Sequence, residues 1–207
     1  MREFATDELM IPQSDLAKEQ LRHRFPRWHS HIGAIHTSEV MQDWLSNRDS
    51  LTARLVARSS RFRVQRLRQG RAMCLRDEFH ALGLPRVTQV TEREVLLRCD
   101  ERAVVYAHTV LSLDANASHW PLFASLGNRS LGSTLFSDPQ VERGQLYFAR
   151  LGRRHPLMQR IVRVHALADD VAYLWARRSV FRRKGSPLLV TEVFLPEILD
   201  LPRISGQ

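Results

Sequence analysis

Glu192 is the residue that most needs explaining. It sits in Leu188-Leu189-Val190-Thr191-Glu192-Val193-Phe194-Leu195, a run whose β-branched and aromatic content predicts a strand. Side chains alternate across a strand, so Glu192 shares one face with Leu188, Val190 and Phe194. Neither face of this run has the composition of a wetted surface. An unpaired carboxylate among hydrocarbons is costly, so Glu192 is expected to meet a cation or to carry a raised pKa.

Arg93 poses the complementary problem. In Val90–Arg98 it falls on the face of Thr91, Val95 and Leu97, where its planar fork suits a carboxylate. Two readings of the pair stay open. One is a structural ion pair within a sheet; the other is a site where the arginine orients an anion and the glutamate handles a proton. His108, with Tyr106 and Val110 on its face, is a third polar residue of this kind and reads as a hydrogen-bonded core histidine. His29, His31 and His36 suggest a metal, but no cysteine or carboxylate completes a set at helical spacing. No metal site is expected.

The elements that position these residues follow from periodicity. Val40, Met41, Trp44 and Leu45 recur at helical spacing behind a Thr37 or Ser38 cap, and a second short helix carries Leu51, Leu55 and Val56. Phe62 and Val64 begin a β pattern. Val90–Arg98 and Arg102–Leu113 form a hairpin through Cys99-Asp100-Glu101. His119–Leu126 predicts a short helix with Pro121 near its start, Gln145–Leu151 a strand, and residues 155–170 a helix. Leu174–Arg182 and Leu188–Leu195 form a last hairpin through Arg183-Lys184-Gly185-Ser186-Pro187. Consecutive hairpins with helices before and between them predict an α+β fold around one antiparallel sheet.

Composition narrows the function classes. At 207 residues the chain suffices for one domain with a full core, and no apolar stretch approaches the roughly 20 residues that cross a bilayer. Met1–Gln20 lacks a signal-peptide core, and two cysteines do not make a disulfide framework, so a cytoplasmic protein without a membrane span is expected. The net charge of +9 is nearly all arginine, spread along the chain rather than gathered in one run. Arginines 54 to 76 and Arg177, Arg178, Arg182 and Arg183 therefore read as a solvated surface, and no nucleic-acid partner is expected.

Four segments in order resemble the chorismate pyruvate-lyase family of ubiquinone biosynthesis. They are Trp44-Leu45 with Asp49-Ser50-Leu51-Thr52, then Arg93-Glu94-Val95-Leu96-Leu97, and then Leu126-Gly127 with Leu131-Gly132 and Leu135-Phe136. The fourth is Arg177-Arg178-Ser179 running into Leu188–Pro196. The resemblance implies a single antiparallel sheet with helices on one side and flap-like helical segments over a buried ligand site. It implies a lyase that eliminates pyruvate from chorismate to leave 4-hydroxybenzoate, the first committed step toward ubiquinone, with no cofactor and as a monomer. Carried over by motif, Arg93 and the backbone amides of Leu51 and Leu131 hold the aromatic carboxylate. Glu192 faces the end of the ring where the ether bond breaks, so the catalytic pair is Glu192 and Arg93.

The same resemblance sets the expected boundaries: an N-terminal extension over 1–37, the lyase-like domain over 38–196 with an insertion around 152–172, and a tail over 197–207. The family often has arginine where His108 stands, proline where Ser112 stands and proline where Ser130 precedes Leu131-Gly132. His108 is thus expected to loosen the grip on the substrate's second carboxylate. Two rival readings remain. One is an effector-sensing domain of the same fold that binds small aromatic acids without catalysis, for which residues 1–37 are too short to hold a winged helix-turn-helix. The other is an arginine-rich nucleic-acid binder, which predicts strongly salt-dependent binding.

Overall fold

Alternation of apolar and polar side chains turns six segments into strands, and their cross-strand pairs assemble one antiparallel sheet. The computed structural model describes residues 25–115, 118–121 and 123–202; residues 1–24 of the expected extension and 203–207 of the expected tail lie outside these. The strands are β1 (Phe62–Met73), β2 (Gln89–Cys99), β3 (Arg102–Ser112), β4 (Val141–Gly152), β5 (Tyr173–Arg183) and β6 (Ser186–Phe194). Their order is β1-β2-β3-β6-β5-β4. Each half is a meander, and the two halves meet where β3 pairs with β6. Among the described residues no helix is long and apolar enough to cross a membrane.

The last hairpin is tighter than its sequence suggests. Arg183 pairs with Ser186, so the connection is Lys184-Gly185 alone. Both residues have positive φ, 49° and 77°, the pairing that a two-residue turn of the favoured twist requires and that glycine adopts without strain. That turn fixes the register of every pair above it.

Helices α1 (Glu39–Ser46) and α2 (Leu51–Val56) start where serines cap them. The Ser38 hydroxyl accepts from Met41 N, and Ser50 accepts from Ala53 N. Met41, Trp44, Leu45, Leu51 and Leu55 then pack on Val95, Leu97, Val105, Ala107 and Phe194 of the sheet. Helix α3 (Leu131–Ser137) lies beside α2 on the same face. Residues before α1 are also tied down, since His29 exchanges two backbone hydrogen bonds with Phe148 of β4.

Two expectations change in detail. The described residues of 119–126 form successive turns rather than a helix. Trp120, Phe123 and Leu126 bury themselves against Leu111, Phe181 and Leu188, and their three-residue spacing serves turns as well as a helix. The helix expected over 155–170 is α4 (Pro156–Val164), capped by His155, whose Nδ1 accepts from Leu157 N. Its Leu157, Met158 and Ile161 pack on Leu96, Tyr106, Ala149 and Val193. These sheet residues point away from the α1–α3 face, so α4 lies on the reverse side.

Candidate active site

The cavity forms where the α1–α3 layer stands off the sheet. Three rows of paired residues make its floor. Val95, Ala107, Glu192 and Arg177 are neighbours across β2, β3, β6 and β5, and Arg93, Thr109, Val190 and Ser179 form the next row. Phe181 and Arg143 add a third row at β5 and β4. The roof is Leu51 and Thr52 of α2 with Ser130, Leu131, Gly132, Leu135 and Phe136 of the α3 segment. The cavity holds about 50 Å³ of space for the centre of a water-sized molecule, and part of it is open to solvent.

Arg93, Glu192, Leu51 and Leu131 all line this one cavity. With strands about 4.8 Å apart and about 3.4 Å of rise per residue, the register sets the Arg93 and Glu192 Cα atoms about 12 Å apart. Both side chains line the space between. They do not pair with each other.

Arg93 is 2% exposed, and its Nη2 donates to the carbonyls of Gly127 and Arg129 at 3.1 and 2.9 Å. No carboxylate meets it among the described residues, and its Nε is buried without a partner. Burial, and then the Arg66 charge, pull its guanidinium down to about 10. A buried cation with a spare donor is an anion site.

Glu192 does find a cation, and it is Arg177. The Arg177 Nε donates to Glu192 Oε2 at 2.5 Å. Arg177 is 1% exposed, so reading it as a surface arginine is wrong. Its Nη1 donates to the carbonyls of Trp44, Leu45 and Asn47 at 3.2, 3.2 and 2.7 Å. These are the carbonyls that the end of α1 leaves without amide partners. One side chain thus closes a helix terminus and holds the carboxylate. The sequence does carry a signal for it, because counting back from the Lys184-Gly185 turn sets Arg177 directly opposite Glu192.

Leu51 and Leu131 are the first residues of α2 and α3. Amides at such positions have no intrahelical acceptor, which suits them to an incoming carboxylate. The two helix starts are joined by the Thr52 and Ser130 hydroxyls, 2.6 Å apart. Gly132 allows this approach, since a Cβ there would stand 2.7 Å from Thr52 Oγ1.

His108 lies on the opposite face of the sheet. It therefore cannot touch a ligand in this cavity, and the expected loosening of a second carboxylate does not follow from it. It is 1% exposed, with its Nε2 3.2 Å from Glu78 Oε1. Beside it, Arg160 bridges Glu92 at 2.9 Å and Glu94, and Arg68 Nε stands 3.2 Å from Glu92. Glu92, Glu94 and His108 bring one potential metal-donor atom each within 4.8 Å of one another. The Arg160 guanidinium already meets both carboxylates there. The histidines at 29, 31 and 36 are not part of that group.

Burial works against a charged His108, but the Glu78 charge and hydrogen bond outweigh it and hold the imidazole above its ordinary 6.5. A raised folded-state value stabilises the fold fully below 6.5, and that stability is lost as pH rises through the folded value. Cys74, which also contacts Glu78, is pushed up to about 12 by burial and titrates above this window. The melting temperature of the wild type should therefore fall as pH rises above about 6.5. In Glu78→Gln most of that slope should disappear; an unchanged slope would assign it to other groups.

Comparison with known proteins identifies the family. The chorismate lyase family model matches residues 27–204. A Ralstonia nicotianae protein described as a probable chorismate pyruvate-lyase is 52% identical over 160 residues, covering 75% of this chain and 80% of that one. Proteins of the same description from Cupriavidus metallidurans and Dechloromonas aromatica are 47% and 42% identical, each covering 83% of this chain and 81% and 96% of their own. Among solved structures, PhnF from Mycobacterium smegmatis superposes with a TM-score of 0.50 at 14% identity, covering 73% of this chain and 66% of that one, which shows a shared fold and nothing about ligands. The sequence matches show more: the chain belongs to the chorismate lyase family.

Proposed function

We propose that this cavity eliminates pyruvate from chorismate to leave 4-hydroxybenzoate, the first committed step toward ubiquinone. The observation that carries the reading is the pairing of charges. A buried arginine without a carboxylate partner among the described residues stands at one end of the cavity, and a guanidinium-held glutamate stands at the other. Arg93 and the first amides of α2 and α3 take the ring carboxylate and orient the ring.

In the reaction the ring–oxygen bond of the enolpyruvyl ether breaks, its electron pair leaves with the oxygen, and the C4 proton is lost. The ring becomes aromatic, and the released enolpyruvate gains a proton on carbon to become pyruvate. Much of the driving force is thus in the substrate, and the protein needs chiefly to position it and to accept redistributed charge. Arg177 engages Glu192 Oε2, leaving Oε1 to accept the ring proton. The balance of atoms calls for no cofactor.

Arg93→Ala tests the assignment. It should weaken 4-hydroxybenzoate binding by about 2–4 kcal/mol, the worth of a buried charge-assisted contact, and lower chorismate conversion with it. Calorimetry on wild type and variant measures the first, and pyruvate release the second. An unchanged dissociation constant would make Arg93 a structural clamp on the Gly127 and Arg129 carbonyls. A wild type that binds the acid tightly but releases no pyruvate would favour an effector-binding domain of the same fold.

A further inference from the structure

The cavity holds more positive charge than the ring carboxylate and Glu192 can answer. Its charged lining is Arg93, Arg143, Arg177 and Glu192. Arg177 and Glu192 neutralise one another, and Arg93 is assigned to the ring carboxylate. Arg143 is left over, on the wall formed by β4.

Its placement is constructed rather than incidental. The pairing of β4 with β5 slips between Arg143 and Leu146, a bulge that inserts one residue. Gly144 makes the bulge possible, since a Cβ there would lie 2.9 Å from the Val180 carbonyl oxygen. The guanidinium lies 5.4 and 5.5 Å from the Phe136 and Phe181 rings, which hold it by cation–π attraction. Its Nη1 donates to the Arg48 carbonyl in the α1–α2 connection, and its Nε is buried without a partner. Among the described residues no carboxylate forms an ion pair with it.

Backbone contacts place it at the Glu192 end: Arg143 donates to the Arg48 carbonyl, and Arg177, which holds Glu192, donates to the adjacent Asn47 carbonyl. Burial, and next the Arg177 charge, pull Arg143 down to about 10, while Glu192 acts in the opposite sense. Arg93 and Arg143 are thus two guanidiniums, at opposite ends of one cavity, each with a buried spare donor. Chorismate carries two carboxylates, one on the ring and one on the enolpyruvyl arm. That arm leaves from the end of the ring that faces Glu192.

We propose that Arg143 binds the enolpyruvyl carboxylate of chorismate and, once the ether bond has broken, the carboxylate of the departing pyruvate. This rests on the reading of the cavity as a chorismate site and adds the residue that distinguishes substrate from product. 4-Hydroxybenzoate has only the ring carboxylate and makes no use of Arg143. A second cation dedicated to the leaving arm also favours the substrate over its own product in competition for the cavity.

The test compares Arg143→Met and Arg143→Lys with wild type in three measurements: KM and kcat for chorismate, the dissociation constant of 4-hydroxybenzoate, and the melting temperature. Arg143→Met should lower kcat/KM about 10²-fold, mostly through KM, while 4-hydroxybenzoate affinity stays within about threefold. Arg143→Lys, which keeps the charge without the fork, should recover part of the loss. Equal losses for chorismate and 4-hydroxybenzoate would make Arg143 a general support of the wall and overturn the proposal. An unchanged kcat/KM would overturn it as well. A wild type that does not convert chorismate fails before any variant is made, and overturns both this proposal and the reading beneath it.

Discussion

Replacing Arg177 by methionine is expected to cost about 3–5 kcal/mol of stability, a drop of roughly 6–20 °C in melting temperature for a chain of this size. Methionine matches the length and apolar stem of arginine but supplies no donors. The change strands Glu192 beside the core residue Phe194 and removes the partner of three carbonyls at the end of α1. Each orphaned buried polar group costs about 1–3 kcal/mol, moderated where water can enter. Glu192 retains some access, with 17% of its side chain exposed, whereas the Arg177 side chain has 2%. The double variant Arg177→Met, Glu192→Gln should recover part of the loss, because it removes the unpaired charge. Urea unfolding measures both variants against wild type. A loss below about 1 kcal/mol for Arg177→Met would mean the pair and the helix clamp are dispensable.

Glu192→Gln carries the largest expected effect on chemistry. The amide keeps the shape and can still accept from Arg177 Nε through its oxygen, so the cavity should survive. Turnover should fall by about 10²–10⁴-fold, the usual share of a positioned acid or base. Affinity for 4-hydroxybenzoate should change little, because the ring carboxylate is held at the Arg93 end. Stability should fall by only about 1–3 kcal/mol, since Arg177 keeps its three carbonyl acceptors. That separates Glu192 from Arg177: one variant loses turnover with a modest change in melting, the other loses more stability. Single-turnover pyruvate release and a melting curve on the same preparation measure both. Full turnover in Glu192→Gln would exclude any chemical role for the residue.

Much of this arrangement is legible in the sequence, for identifiable reasons. Arg93 and Glu192 stand out because a charge interrupts an apolar face at two-residue spacing, a local pattern. The β5–β6 hairpin is legible because Lys184-Gly185 is strong turn chemistry, and α1 and α2 because Ser38 and Ser50 precede apolar helical periodicity. Arg177 escapes such a reading. Among Arg178, Arg182 and Arg183 it has the composition of a wetted surface, and only the hairpin register sets it opposite Glu192. Arg143 escapes for a second reason: its row depends on a bulge that no two-residue pattern predicts.

The reverse face was the least legible. Glu92, Glu94 and His108 alternate in the usual way, but what satisfies them is Arg160 on α4 and Glu78 in the β1–β2 connection. Contacts across such sequence distances leave no periodic trace. His108 shows the consequence. Its position in a motif suggests a ligand contact, while the strand parity sends it to the other side of the sheet.

The most direct test is a single-turnover experiment with the wild-type protein in excess over chorismate, after dialysis against a chelator. One pyruvate and one 4-hydroxybenzoate are expected for each chorismate consumed, appearing together, with no added metal or nucleotide. Chorismate that binds and is recovered unchanged would contradict that expectation, as would pyruvate formed without 4-hydroxybenzoate.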